Sequence, residues 1–380
     1  MAEAGADRRV WLFGPRLDPG LFLGSALLSG LFVLLAPGLG IPDETPLWVW
    51  LVFVLGIDVA HVWSTLFRTY LDREELERHT FRYVAAPLLA WVAGVVLYRE
   101  GGALFFWRTL AYLALFHFVR QQVGWMAIYA RRSGAPAWVR RLDAAAIYAA
   151  TLGPALWWHA HLPRPFSWFV EGDFVALPAW VGTLALGGHA AVLLAWVGVT
   201  LGRRVVRGVP LQPGAWSLML ATWLAWFGGI VLAESDLAFT VMNVTLHGVP
   251  YLALLFVYAK GRAAEEGGPV SWRAMGLGTF LLLLLALAFA EEFLWDALVW
   301  QERPEIFGAL GVGLDPGALS LLVPLLAVPQ ATHYLLDAVI WRSAREPRLA
   351  SRLGWAPAPS GGEAGTGAAV APGTGHIAGA

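Results

Sequence analysis

Ten long, mostly apolar segments constrain this chain more than any other feature. A helix that crosses a lipid bilayer needs about 20 such residues, because the hydrocarbon core is about 30 Å thick. The segments show no period of two, which argues against strands. We therefore predict an all-α, polytopic integral membrane helical bundle of about ten transmembrane helices, at residues 20–39, 47–67, 83–100, 103–130, 141–161, 178–201, 215–233, 239–259, 272–290 and 317–341.

Composition excludes several classes of protein. The chain is 58% hydrophobic and only 14% charged, whereas soluble domains average about 45–50% apolar and 25% charged residues. A formal net charge of −1 provides no surface for nucleic acid. The sequence contains no cysteine, which excludes disulfides and thiolate ligands. A metal site in this chain must therefore use histidine, carboxylate or amide ligands.

The positive charges between the segments indicate an orientation. Nearly all Lys and Arg residues outside the spans fall on one set of alternating sides, as the positive-inside rule requires. We predict both termini in the cytoplasm, with a cytoplasmic arm at 1–19, a transmembrane domain at 20–342 and a tail at 343–380, disordered from about 356. The predicted location is the cytoplasmic (inner) membrane. Residues 1–40 also resemble a cleaved signal peptide, but no clear small-x-small cleavage site follows.

Polar stripes mark the even-numbered spans. An ionisable side chain inside the bilayer costs a few kcal/mol, so its position is a functional signal. Spacings of three and four place the polar residues of a span on one helix face. The stripes are Asp58, His61, Thr65 and Arg68; His117, Arg120, Gln121 and Gly124; Asn243, His247 and Tyr251; and Gln330, His333 and Asp337. Pro250, Pro324 and Pro329 are expected to kink the eighth and tenth spans.

The stripes predict a shared metal site. Four imidazoles with two carboxylates suit iron, zinc, copper or manganese. The predicted ligands are His61, His117, His247 and His333, with Asp58 and Asp337 either as ligands or as acceptors that fix an imidazole tautomer. Arg120 and Gln121 are predicted to orient a substrate or an oxygen species. The lone His189 of the sixth span is expected to form a bond between helices. Independent structural hydrogen bonds remain the alternative for all four stripes.

At these stripes the chain resembles the polytopic membrane oxygenases that use a His-coordinated iron site, such as the bacterial carotene-cleaving dioxygenase family. The resemblance rests on the four histidines on separate spans, with Asp58 and Asp337. It implies non-haem iron and an apolar substrate. The H-G-x-x-D-H run expected in that family is absent, since Val-Pro-Tyr follows His247 and Gly248. The H-x-x-H-H boxes of membrane desaturases are absent too.

Three functions fit these observations. The first is a metal-dependent oxidoreductase, oxygenase-like, acting on a lipid-soluble small molecule. The second is a proton-coupled transporter in which the His and Asp residues relay protons. The third is a b-type haem protein with paired His ligands. The expected partners are the lipid bilayer and that small molecule, and no nucleic acid.

Overall fold

The computed structural model describes residues 10–43, 45–309, 311–341 and 347–355, and these residues contain helices and connecting loops without a β-strand. The predicted disordered tail from about 356 and the first nine residues of the predicted arm lie outside the described residues. The all-helical class predicted from the long apolar segments is confirmed.

Ten long helices follow one another along the described chain, at or near the ten predicted positions. They are α1 (Leu17–Leu35), α2 (Leu47–Arg68), α3 (Thr80–Gly101), α4 (Ala103–Arg132), α5 (Ala137–His159), α6 (Ala179–Arg207), α7 (Pro213–Leu232), α8 (Asp236–Ala264), α9 (Leu277–Trp300) and α10 (Pro316–Ile340). Short helices at Arg73–Arg78, Val270–Ala274, Pro304–Phe307 and Pro347–Arg352 lie in or after the connections.

Within the part of the chain that the structure describes, eight of these helices are long and apolar enough to cross a membrane. The other two, α4 and α5, are long enough but more polar. Arg108 and Arg120 lie within α4, and α5 carries Arg140, Arg141 and Asp143 in its first two turns. Length and composition thus support a multi-pass membrane protein.

Helix α8 is the most enclosed of the eight apolar helices. Of its most apolar stretch, 78% is buried, against 11% for α3 and for α6. A helix that is buried on most sides lies at the centre of a bundle, whereas α3 and α6 present large apolar side chains outward. The helix that carries His247 is therefore surrounded by the others.

Contacts between loops define the two ends of the bundle. At one end, Trp355 Nε1 donates to the carbonyl of Leu12 at 3.0 Å, and Arg132 donates to the carbonyls of Trp11 and Trp355. At the other end, Thr45 donates to Asp236 at 2.6 Å. The segments that precede α1 and follow α10 therefore meet at the same end of the bundle.

Candidate metal centre

Four buried imidazoles from four different helices meet at one point. His61 comes from α2, His117 from α4, His247 from α8 and His333 from α10, and each is at most 5% exposed. One ring nitrogen from each lies within 4.8 Å of the corresponding nitrogens of the other three. The predicted convergence of these four histidines is confirmed.

The spacing of the ring nitrogens is that of a metal ligand set. His247 Nε2 lies 3.0 Å from His61 Nε2, and His333 Nε2 lies 3.0 Å from His117 Nε2. Imidazole nitrogens bound to one ion at about 2.0–2.1 Å lie about 3–4 Å apart, depending on the coordination geometry. The two close pairs match this range, and the other separations reach at most 4.8 Å.

Local chain geometry places His61 in the cluster. The ten residues Trp50–Val59, directly before this part of α2, form wide π-helical turns, and the helix tightens again from Ala60. Such turns are rare and occur mostly at functional sites, because they displace side chains from the regular α-helical positions. Asp58 lies within the widened turns, and His61 follows directly after them.

Gly248 brings α8 close to α2. A Cβ at this position would lie 2.5 Å from Ile57 Cγ2 and 3.2 Å from the Ile57 carbonyl oxygen. The first distance is too short for any Cβ unless Ile57 or the backbone shifts, and the second is tighter than an ordinary contact. The absence of a side chain at Gly248 therefore permits the approach that brings His247 to His61.

A chain of hydrogen bonds extends from His333. Its Nδ1 is hydrogen-bonded to Thr65 Oγ1 at 2.7 Å, and Thr65 Oγ1 lies 3.0 Å from the hydroxyl of Tyr251. That hydroxyl donates to Asp337 Oδ1 at 2.5 Å, and Trp341 Nε1 donates to the same oxygen at 3.1 Å. Groups of this kind hold a metal-binding imidazole in one orientation and tautomer.

The two predicted carboxylates lie beside the cluster. Asp337 Oδ2 lies 3.9 Å from His117 Nε2, and Asp337 Oδ1 lies 3.9 Å from His333 Nδ1. Asp58 Oδ1 lies 3.6 Å from His61 Nδ1, a buried nitrogen without a hydrogen-bond partner in the described chain. At these distances both carboxylates are close enough to interact electrostatically with the imidazoles.

Aromatic rings pack directly against the imidazoles. Phe118 stacks on His247 with ring centroids 3.6 Å apart, and the Tyr334 ring lies 4.8 Å from that of His117. Sequence reasoning singled out neither residue. Each adjoins a predicted histidine in sequence, at His117 and His333, but neither lies three or four residues from that histidine, the spacing that defined the polar stripes.

Within the described residues, the remaining predicted residues form no hydrogen bond or ion pair with the four imidazoles. Arg120 is exposed and donates to the hydroxyl of Tyr148 on α5, so it is directed toward α5 and not into the cluster. The amide atoms of Gln121 are buried and have no hydrogen-bond partner among the described residues. His189 is hydrogen-bonded through Nδ1 to the Ala149 carbonyl at 2.8 Å, which links α6 to α5.

Two cavities flank the cluster. One, of about 160 Å³, is bordered by residues that precede the histidines in α2 and α8, such as Asp58 and Val244. The other, of about 300 Å³, is an almost wholly apolar groove between α2, α3 and α10, and it reaches His333. Of the four imidazoles, only His333 borders one of these two cavities, the apolar groove.

No protein-family model, no curated protein and no solved structure matches this chain.

Proposed function

We propose that this protein is an integral-membrane, metal-dependent oxidoreductase of the oxygenase type that acts on a lipid-soluble substrate. The observation that carries the proposal is the meeting of four buried imidazoles from four helices within 4.8 Å. His61, His117, His247 and His333 would hold the metal, and we propose non-haem iron. When bound, such a metal supplies activation of oxygen or water.

The packing of the rings favours a single ion over a haem. The His117 and His333 ring centroids are 4.6 Å apart, as are those of His61 and His247, and neighbouring rings meet edge to face. A porphyrin held between two axial imidazoles would require a flat space far wider than these contacts leave. An ion occupies only the volume between the four nitrogens.

The apolar groove suits a lipid-soluble substrate. Val62 and Leu66 line it from α2, Pro87 from α3, and Thr332 and His333 from α10. A hydrocarbon portion placed here would contact apolar side chains along its length and reach the edge of the imidazole cluster. Thr65, which also borders the groove, would hold His333 in position through its hydrogen bond to Nδ1.

We further propose that α4 and α5 cross the membrane with the other eight, so that both termini lie in the cytoplasm. The contact of Trp355 with Leu12 supports an even number of crossings, because it joins the two ends of the described chain at one end of the bundle. The alternation of positive charge supports a cytoplasmic position for that end, and with it the cytoplasmic membrane.

Metal analysis tests the proposed function. The wild-type protein, expressed with abundant iron, zinc, copper and manganese and purified without chelators, should contain about one transition-metal ion per chain by elemental analysis. His333→Ala should lose that metal, and His333→Gln, which keeps a polar side chain beside Thr65, should lose it too. His189→Ala is the matched control, because it removes a buried imidazole outside the cluster, and it should retain the metal.

One result would redirect the proposal. Equal and negligible metal in the wild type and in both His333 variants, with all proteins folded, contradicts the metal centre. The proton-coupled transporter is then the better reading, since Asp58, His61, His333 and Asp337 still form a polar path inside the bundle. A haem absorption band would favour the third alternative.

A further inference from the structure

The cavity of about 160 Å³ has an unusual lining. Nine aromatic side chains border it, from α4, α8, α9, α10 and the connection between α5 and α6. Several contact one another, such as Trp107 with Trp300 at 5.3 Å and Trp168 with Phe239 at 5.5 Å between ring centroids. We call this cavity the aromatic chamber.

Two carboxylates, Asp58 and Glu292, also line the aromatic chamber, and its lining contains no Lys, Arg or His among the described residues. Glu292 makes no hydrogen bond or ion pair with a described side chain. Arg303 acts on it electrostatically, but the Arg303 guanidinium lies over the ring of Trp50, 4.2 Å from its centroid. Asp58 is 27% exposed, and that exposed part contributes to the chamber. The chamber is therefore acidic as well as aromatic.

Aromatic faces and carboxylates attract the same kind of ligand. The face of an aromatic ring is negative, so rings that enclose a space bind cations, and quaternary ammonium groups above all, because these lose little hydration. The size agrees, since a cavity of roughly 150 Å³ holds a molecule as large as benzene. A trimethylammonium group is about that size.

We propose that the aromatic chamber is a binding site for a small organic ammonium ion, with the rings as its cage and Glu292 and Asp58 as its counter-charges. This inference goes beyond the proposed function, because the chamber needs neither a metal nor turnover to bind. The ammonium group belongs either to a free solute such as choline or to a lipid headgroup.

Calorimetric titration of the full-length protein in a maltoside detergent tests the chamber. The probes are choline and 3,3-dimethylbutan-1-ol, which has the same shape but a neutral carbon in place of the nitrogen. Choline should bind at least about tenfold more tightly than the alcohol, since only the cation gains from the rings and carboxylates. Equal affinity for the two probes, or no binding of choline, would overturn the proposal.

A pair of variants locates the site. Glu292→Gln should weaken choline binding about tenfold and leave binding of the neutral alcohol unchanged. Glu305→Gln removes an exposed negative charge near the same end of the bundle, outside the chamber lining, and should leave choline binding unchanged. Equal effects of the two substitutions would mean that choline binds outside the aromatic chamber, which would contradict the proposed site. If Glu292→Gln does not fold, the affinities of the wild-type protein for choline and for the neutral alcohol still test the proposal.

Lipid nanodiscs separate the two sources of the ammonium group. If a headgroup occupies the chamber, added choline should bind more weakly in phosphatidylcholine discs than in phosphatidylglycerol discs, because the lipid competes. Equal affinity in the two discs assigns the site to a free solute. Neither result depends on metal content, so failure of this proposal and failure of the metal proposal are distinguishable.

Discussion

At the scale of single residues, Asp337 shows how the cluster is held. Its Oδ1 accepts hydrogen bonds from Tyr251 and Trp341, and its two oxygens lie 3.9 Å from the ring nitrogens of His333 and His117. A carboxylate fixed in this way supports the orientation and the electron density of metal-binding imidazoles. Its charge, and not only its shape, should therefore matter.

We expect Asp337→Asn to lower metal affinity about 10–100-fold while the protein stays folded, because the amide keeps the shape but loses the charge. Competition with a chelator of known affinity measures this. Asp143→Asn is the matched control: Asp143 accepts from Trp196 at 2.8 Å, away from the cluster, and its loss should leave metal affinity unchanged. If Asp337→Asn binds metal with unchanged affinity, the charge of Asp337 does not contribute to metal binding and the residue has only a structural role.

The sequence predicted the four histidines because a polar residue in an apolar span is conspicuous. Thr65 and Tyr251 lie on the predicted stripes, but their hydrogen bonds join different helices. Residue spacing within one helix gives no information about the distances between α2, α8 and α10, so these bonds could not be predicted. Arg120 illustrates the opposite case. It follows His117 by one turn, yet its side chain is exposed and directed to α5.

At the scale of helices, Gly248 should control the approach of α8 to α2. We expect Gly248→Ala to destabilise the protein by about 1–3 kcal/mol, since the added methyl group would overlap Ile57. The same change should lower metal content, because it moves His247 away from His61. Thermal unfolding in detergent and elemental analysis measure the two effects.

Gly188→Ala is the control for that substitution. Gly188 lies inside α6, and a Cβ there would meet no atom within 4 Å. Replacing a helical glycine that has free space stabilises by about 0.5–1 kcal/mol, so this variant should be neutral or slightly more stable. Equal behaviour of the two variants would show that close approach at Gly248 does not limit the fold.

The prolines predicted to kink the helices lie in two different settings. Between Pro324 and Pro329 the helix α10 is interrupted at Ala327, which agrees with the predicted kink. Pro250 lies within the uninterrupted helix Asp236–Ala264. The wide turns of α2 could not be predicted, because no proline, glycine pair or polar run distinguishes Trp50–Val59 from an ordinary apolar helix.

At the scale of the whole molecule, a buried network of charges fastens the C-terminal helix to the bundle. Arg352 is 3% exposed and donates twice to Glu265, at 2.9 and 2.8 Å. It also donates to the Tyr258 hydroxyl at 2.8 Å and reaches Asp72 at 3.4 Å. The helix that follows α10 is thereby tied to α8 and to the connection between α2 and α3.

We expect Arg352→Met to destabilise the protein by about 1–3 kcal/mol, because it removes charge-assisted hydrogen bonds to Glu265 and to the Tyr258 hydroxyl. Arg262 still pairs with Asp72 and Glu265 in the variant, so these carboxylates keep a partner. Arg73→Met is the control: Arg73 pairs with Glu77 on the surface, where its side chain is 90% exposed, and its loss should have no measurable effect. Chemical unfolding followed by circular dichroism compares them. A small effect for Arg352→Met would mean that water enters this network.

The same network predicts a response to acid. Burial opposes ionisation of Glu74, but Arg352, Arg348, Arg262 and Arg78 together outweigh it and lower the Glu74 pKa below 4.5. A lowered pKa in the folded state stabilises above the unfolded value, and this contribution is lost as the pH falls through the folded value. Glu74→Gln should therefore reduce the melting temperature at pH 7, and the difference from wild type should shrink below about pH 4.5.

The four imidazoles lie far apart in sequence, and this separation determines when during synthesis the histidine cluster can form. His61 and His247 are 186 residues apart, and His117 and His333 are 216 apart, with the last ligand near the end of α10. During synthesis the ligand set stays incomplete until the final long helix has emerged and packed. Loading of the proposed metal would then be a late maturation step, and binding free energy gained only by the finished fold would favour completed molecules over truncated ones.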